Sequence, residues 1–255
     1  MKWLVPACVA LTMLAAEAVA DGDRLPTMCD DPALPVFTMA PTDAAGRLAR
    51  TPTRVVAFGS SSTYGTGASG ERATYPARLA VELRQRFPGG LIEVVNSGVP
   101  GDDARMMLDR LDRDVLAQHP DLVIWQVGTN DIERGVPRVD LDRMVRDGIE
   151  RLRAAGITVV LMETQWYPKL GERTGWQGYR ADLIAAADDL GVPLIRRYDM
   201  MMAWMAQGGL GAEHLLAGDR FHMKDLSYGC LARAIADGLA RAAPPSLTAT
   251  VAAIE

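Results

Sequence analysis

From Arg54 onward the chain alternates short, nearly continuous apolar runs with longer stretches whose apolar residues recur at helical spacing. The runs Arg54–Phe58, Leu91–Val95, Leu122–Val127, Thr158–Met162 and Pro193–Ile195 predict strands, and Tyr75–Phe87, Asp103–Gln118, Val139–Ala154 and Ala181–Leu190 predict helices. Val55-Val56, Val94-Val95, Val123-Ile124 and Val159-Val160 lie within these runs, the pattern of strands buried on both faces of a parallel sheet. A last helical stretch from about Lys224 to Ala240 is stopped by Pro244-Pro245. Neither a repeat nor a second unit interrupts this order. It predicts one three-layer α/β/α domain with a mostly parallel sheet over residues 54–243, with ligands outside the carboxyl ends of the strands.

The chain before Arg54 follows another pattern. Lys2 precedes an apolar run from Trp3 to Ala16, and Ala18-Val19-Ala20 supplies a small-x-small cleavage site, so residues 1–20 read as a cleaved secretory signal. That run is shorter than the roughly 20 residues needed to span a bilayer, so a secreted or periplasmic protein without stable membrane insertion is expected. Residues 21–53, rich in Pro, Asp and Thr, read as an extended N-terminal segment wrapping the surface, and residues 244–255 as a short tail.

Composition narrows the class. At 255 residues with 49% hydrophobic and 23% charged positions, the chain can bury a sizeable core, which excludes disorder. A net charge of -5 offers no general attraction to phosphate backbones, so nucleic acid is not an expected partner. Beyond the signal the cysteines are Cys29 and Cys230, and an oxidising compartment permits either a bridge between them or two separate thiols.

The candidate chemistry lies just after the apolar runs. The first is followed by Gly59-Ser60-Ser61-Ser62-Thr63-Tyr64-Gly65, which lacks both the Lys of a phosphate loop and the second Gly of a G-x-S-x-G elbow. Alone it also reads as a flexible Gly/Ser turn. The second ends in Asn96-Ser97-Gly98-Val99-Pro100-Gly101 and the third in Gly128-Thr129-Asn130-Asp131, where a glycine amide and an asparagine side chain could bind a developing oxyanion, although Gly and Asn are ordinary turn residues too. Asp219-Arg220-Phe221-His222 lies before the last helix, where an imidazole can return to the strand ends. His119 and His214 are expected to be structural or solvated, since only His222 has an Asp three residues before it.

Taken in order, Gly59-Ser60-Ser61-x-Thr63-x-Gly65, Asn96-x-Gly98-x-x-Gly101, Gly128-x-Asn130-Asp131 and Asp219-x-x-His222 resemble the four blocks of the SGNH hydrolases, or GDSL-type esterases, over roughly Arg54 to Ala240. One position departs: Ser60 stands where the family usually has Asp. The resemblance implies a flavodoxin-like fold and hydrolysis of an acyl ester through an acyl-serine. It implies Ser61 as nucleophile, with Ser60 and Ser62 as alternatives, His222 as base oriented by Asp219, and an oxyanion hole of Ser61, Gly98 and Asn130. No metal or cofactor is expected, because no H-E-x-x-H or cysteine cluster accompanies the Asp–His pair. Gln165, Trp166 and Tyr167 are expected to line the substrate cleft, with Met200-Met201-Met202, Trp204 and Met205 as apolar wall or core. The substrate expected is a small-molecule or glycan ester with a short acyl group. A thioesterase or lysophospholipase-like enzyme, an acyltransferase, and a catalytically silent binding module are the alternatives.

Overall fold

A computed structural model describes residues 34–49, 52–208 and 210–244. The expected signal at residues 1–20, Cys29 and the tail beyond Pro244 lie outside the described residues. Cys230 is buried and disulfide-bonded.

Five strands form one sheet in the order β2-β1-β3-β4-β5: β1 (Thr53–Gly59), β2 (Ile92–Gly98), β3 (Leu122–Gln126), β4 (Thr158–Met162) and β5 (Leu194–Ile195). Every pairing is parallel, with Val56 opposite Val95 and Val123, and Ile124 opposite Val160. The central strands are buried along almost their whole length, which is why their sequence reads as unbroken apolar runs rather than alternation. Strand order reverses beside β1, so the carboxyl ends of β1, β2 and β3 open onto one crevice.

The helices cover both faces. On one lie α1 (Thr42–Leu48), α3 (Tyr75–Arg86) and α11 (Asp225–Arg241), and on the other α4 (Ala104–Asp109), α7 (Arg138–Ala154) and α8 (Trp176–Asp189). The remaining helices are the short α2 (Ser61–Tyr64), α5 (Leu111–Asp114), α6 (Thr129–Arg134) and α10 (Ala212–Leu215), and the longer α9 (Arg197–Gly208). Thr74 caps α3, accepting from Ala77 N, with Pro76 in the first turn. In α7, Leu141, Met144, Val145, Ile149 and Leu152 form the buried stripe that the sequence predicts.

Three expectations change. Residues 21–53 are not extended throughout: Ala44, Ala45 and Leu48 bury one face of α1, and the apolar contact outweighs the weak local signal. Before that helix Phe37 pairs antiparallel with Ile195, covering the edge of β5. The helix expected over Asp103–Gln118 is broken into α4, α5 and a 3-10 turn at Leu116–Gln118, because Arg110 leaves helical geometry and turns its side chain inward. Met200, Met201 and Trp204 belong to α9, a helix that its weakly periodic sequence does not announce, and are fully buried. They fill the core, the default reading of such a run; the change is the helix itself.

Trp125 of β3 lies under α7, where a Cβ at Gly148 would strike the indole ring at Cη2 and Cζ3. An ordinary Gly→Ala change inside a helix stabilises by about 1 kcal/mol. Gly148→Ala should instead lower stability by about 1–3 kcal/mol in urea unfolding, because overpacking must displace a closely held indole. A stabilised variant would mean that α7 rides loosely on Trp125.

Candidate active site

Ser61 is the first residue of α2, immediately beyond the end of β1. Its Oγ lies 2.9 Å from Nε2 of His222, and Nδ1 of His222 lies 2.6 Å from Oδ2 of Asp219. Ser60 and Ser62 point elsewhere, to Gln126 and Gln165. Asp219 also organises the loop, because its Oδ1 accepts from the backbone N–H groups of Phe221 at 2.9 Å and His222 at 3.0 Å. This wrap holds Arg220 in the left-handed region at φ 56°. Burial opposes ionisation of Asp219, but the His222 ring and the two backbone donors outweigh it and hold its pKa below the usual carboxylate value. An ionised Asp219 only accepts, so the partners assign the proton to Nδ1 and leave Nε2 to accept from the Ser61 hydroxyl.

The expected oxyanion donors lie at the ends of β1, β2 and β3. Ser61 N–H, at the start of α2, has no acceptor among the described residues. Asn130 Nδ2 donates to Asp102 O at 2.7 Å, which uses one of its two hydrogens. Gly98 N–H is engaged by Asn96 Oδ1 at 3.0 Å, and Asn96 Nδ2 donates to Tyr64 O at 3.2 Å. Glycine is required at position 98 for space, since a Cβ there would overlap the Tyr64 backbone nitrogen.

Arg110, which the sequence reading passed over, joins these blocks. Its Nη2 donates to Gly59 O at 2.9 Å, Nη1 to Ser97 O at 3.0 Å, and Nε to Asp102 Oδ2 at 2.5 Å. The guanidinium also stacks on Phe58, 4.6 Å from the ring centroid. The available signal was a charged residue within the apolar stripe of Met107, Leu111 and Val115. Gln126 was missed as well. Its Oε1 accepts from Ser60 N at 2.9 Å, Ser60 Oγ at 3.0 Å and Thr63 Oγ1 at 3.3 Å.

The cleft-lining expectation for Gln165 and Tyr167 is corrected. Gln165 is fully buried, accepting from Ser62 Oγ at 2.6 Å and donating to Phe221 O at 2.6 Å. Tyr167 is also buried, with its hydroxyl on Glu133 and its ring edge-to-face with Phe221 at 4.7 Å. Both are claimed by protein partners, because the chain after β4 runs under the histidine loop. Trp166 is half-buried against the core. His119 is exposed at the amino end of β3, and His214 pairs with Glu213. Among the described residues no group of three or more His, Cys, Asp or Glu side chains is placed to hold a metal ion. Nor is any described helix long and apolar enough to cross a membrane.

Comparison with known proteins gives three kinds of likeness. A family model described as the Non-GDSL lipase-like family matches residues 29–244. Two curated relatives are the uncharacterised lipoprotein YqeF of Bacillus subtilis, 35% identical over 42% of this chain and 46% of the relative, and an arylesterase of Vibrio mimicus, 32% identical over 39% and 49%. The matches thus span about half the length of those relatives. Among solved structures, the acetylxylan esterase Axe2 of Geobacillus stearothermophilus superposes with a TM-score of 0.61 at 22% identity, covering 73% of this chain and 94% of that one. That last likeness concerns the fold.

Asp131, the last residue of the third block, is fully buried, with Oδ1 accepting from Ala104 N at 3.1 Å and Oδ2 without a partner among the described residues. Burial pushes its pKa up to about 6, with the Ala104 bond opposing and nearby Asp103 adding to the rise. A raised carboxyl pKa means that the folded state binds the extra proton, so stability falls as pH rises from about 4 to 6 and levels off above. Asp131→Asn removes that penalty. In urea unfolding, its stability relative to wild type should improve by up to about 3 kcal/mol between pH 4 and pH 7. A gap that does not move with pH would show that Asp131 titrates normally.

Proposed function

The chain belongs to the Non-GDSL lipase-like family, and from that premise we propose that it is an exported serine esterase that hydrolyses short acyl esters, on carbohydrates or other small alcohols, through an acyl-serine intermediate. The observation that carries this reading is the continuous relay from Ser61 Oγ through His222 to Asp219, at 2.9 and 2.6 Å. The arylesterase relative and the acetylxylan esterase of like fold support ester hydrolysis and a short acyl group. The lipoprotein relative and the signal-like pattern of residues 1–20 support export.

In this mechanism His222 Nε2 takes the Ser61 proton as Oγ attacks the ester carbonyl, and Asp219 stabilises the imidazolium. The oxyanion takes the free N–H of Ser61 and the second hydrogen of Asn130 Nδ2. Gly98 N–H contributes as a three-centre donor, shared with Asn96. Collapse of the tetrahedral intermediate breaks the C–O bond, and His222 returns the proton to the leaving alkoxide. Water, deprotonated by His222, then attacks the acyl-serine. Ser61 leaves with its proton and the carboxylic acid departs. The chain's own residues supply every step.

Two measurements test this. Ser61→Ala should fold normally and lose about a thousandfold or more of its turnover on p-nitrophenyl acetate. A folded Ser61→Ala protein that still turns over the ester would place the nucleophile elsewhere. Turnover should also fall with acyl length from acetyl to palmitoyl, with acetate released from acetylated glycans. Preference for palmitoyl, with no acetate released, would favour the long-chain thioesterase or lysophospholipase alternative.

A further inference from the structure

Ser61 and His222 are 161 residues apart in sequence and sit on two separate short segments, α2 and the irregular loop before α11. Their 2.9 Å approach depends on whatever fixes one segment against the other. Two ties do so at a distance: Tyr228 Oη donates to Thr66 O at 2.7 Å, and Ser69 Oγ donates to Asp225 Oδ2 at 2.5 Å. A third joins the residues next to Ser61 and His222. Gln165 accepts from the hydroxyl of Ser62, the residue after the nucleophile, and donates to the carbonyl of Phe221, the residue before the base, both at 2.6 Å.

We infer that Gln165 is a positioning residue that sets the distance between Ser61 and His222. Its carboxamide is a rigid planar unit with an acceptor on one side and donors on the other, so one side chain spans the gap in a fixed direction. Its backbone is held as well, since Thr164 Oγ1 donates to Gln165 O at 3.3 Å and itself accepts from Thr129 Oγ1 at 3.0 Å. Full burial keeps it from touching substrate, and it carries no charge with which to alter the basicity of the imidazole. Its influence is therefore on geometry. Loosening the strut lets the nucleophile turn and the histidine loop drift apart, and a misplacement of about 1 Å in such a pair can cost about a hundredfold in rate.

This inference rests on the Ser61–His222 reading above, and its test separates the two. Gln165→Met keeps the side-chain length and removes both hydrogen bonds, whereas Ser62→Ala removes only one. With p-nitrophenyl acetate, Gln165→Met should lower kcat by about 10- to 100-fold, leave KM within about twofold, and keep the pH profile of kcat/KM in place. Ser62→Ala should lose less, and the double variant should be no worse than Gln165→Met alone, since the two act through one contact. Phosphonylation of Ser61 by a p-nitrophenyl phosphonate should slow by the same factor as kcat/KM. A folded Gln165→Met with unchanged kcat overturns the inference, as does a rise in KM alone or a shifted pH profile. If Gln165→Met does not fold, Ser62→Ala carries the test: an unchanged kcat there overturns it equally. If Ser61→Ala remains active, it is the serine-esterase reading that fails, whatever the strut variants do.

Discussion

The guanidinium of Arg110 is buried behind the carboxyl ends of β1 and β2, and the strand-end part of the site is referred to it. One planar fork meets Gly59 O, Ser97 O and the Asp102 carboxylate, so the strand end before Ser61, the strand end before Gly98 and the loop that receives Asn130 share one rigid reference. A buried cation is costly unless compensated. Asp102 at 2.5 Å and Asp114 at 3.3 Å supply the countercharge, and the Phe58 ring supplies one face. Deleting such a group costs about 3–5 kcal/mol, because its partners are left behind in a dry place. The same demand explains the broken helix: the chain gives up helical bonds around Arg110 so that its side chain can reach inward.

From that reference the bracing passes to the third strand end. Asn130 donates to the carbonyl of Asp102, and Asp131 accepts from Ala104 N at the start of α4. Two consecutive residues of the Gly128–Asp131 turn are therefore spent on the loop after β2. The histidine loop is the outlying piece. It comes from far along the chain, is tied down by Asp219 wrapping its own backbone, and reaches the serine through contacts made after β4. The Ser61 turn and the His222 loop are thus separately rigid, and the contacts between them decide the fit.

Much of the fold is legible in the sequence. The strands are readable because a parallel sheet buries both faces and leaves the plainest apolar signal. The family resemblance of four short blocks singles out Ser61, Gly98, Asn130, Asp219 and His222 as candidates, of which Ser61, His222 and Asp219 lie in hydrogen-bond contact. What could not be read was the use of polar residues as internal struts. Gln165, Trp166 and Tyr167 follow a strand and have the chemistry of a cleft. Whether such groups face substrate or protein depends on which segment crosses above them, and that is a long-range fact. Arg110 and Gln126 are of the same kind, polar residues whose partners lie 51 and 66 residues away. The helix at Thr42–Leu48 was missed because so short a segment is stabilised by the surface it covers rather than by its own propensity.

The serine at position 60 shows how such struts shape the chemistry. Gln126 offers one oxygen to three donors, the Ser60 N–H, the Ser60 hydroxyl and the Thr63 hydroxyl, and so braces the nucleophile turn without any charge. An aspartate at 60 would turn a carboxylate toward that same oxygen, and the amide would have to rotate to present its nitrogen instead. Ser60 and Gln126 are in this sense a matched pair. Under the mechanism proposed above their neutrality matters to an oxyanion forming at Ser61, because a fixed negative charge in the Ser61 turn would oppose it, and burial would strengthen that opposition. With the turn uncharged, the carboxylate in contact with His222 is Asp219, on the far side of the imidazole from Ser61, where negative charge favours the imidazolium of the proposed mechanism.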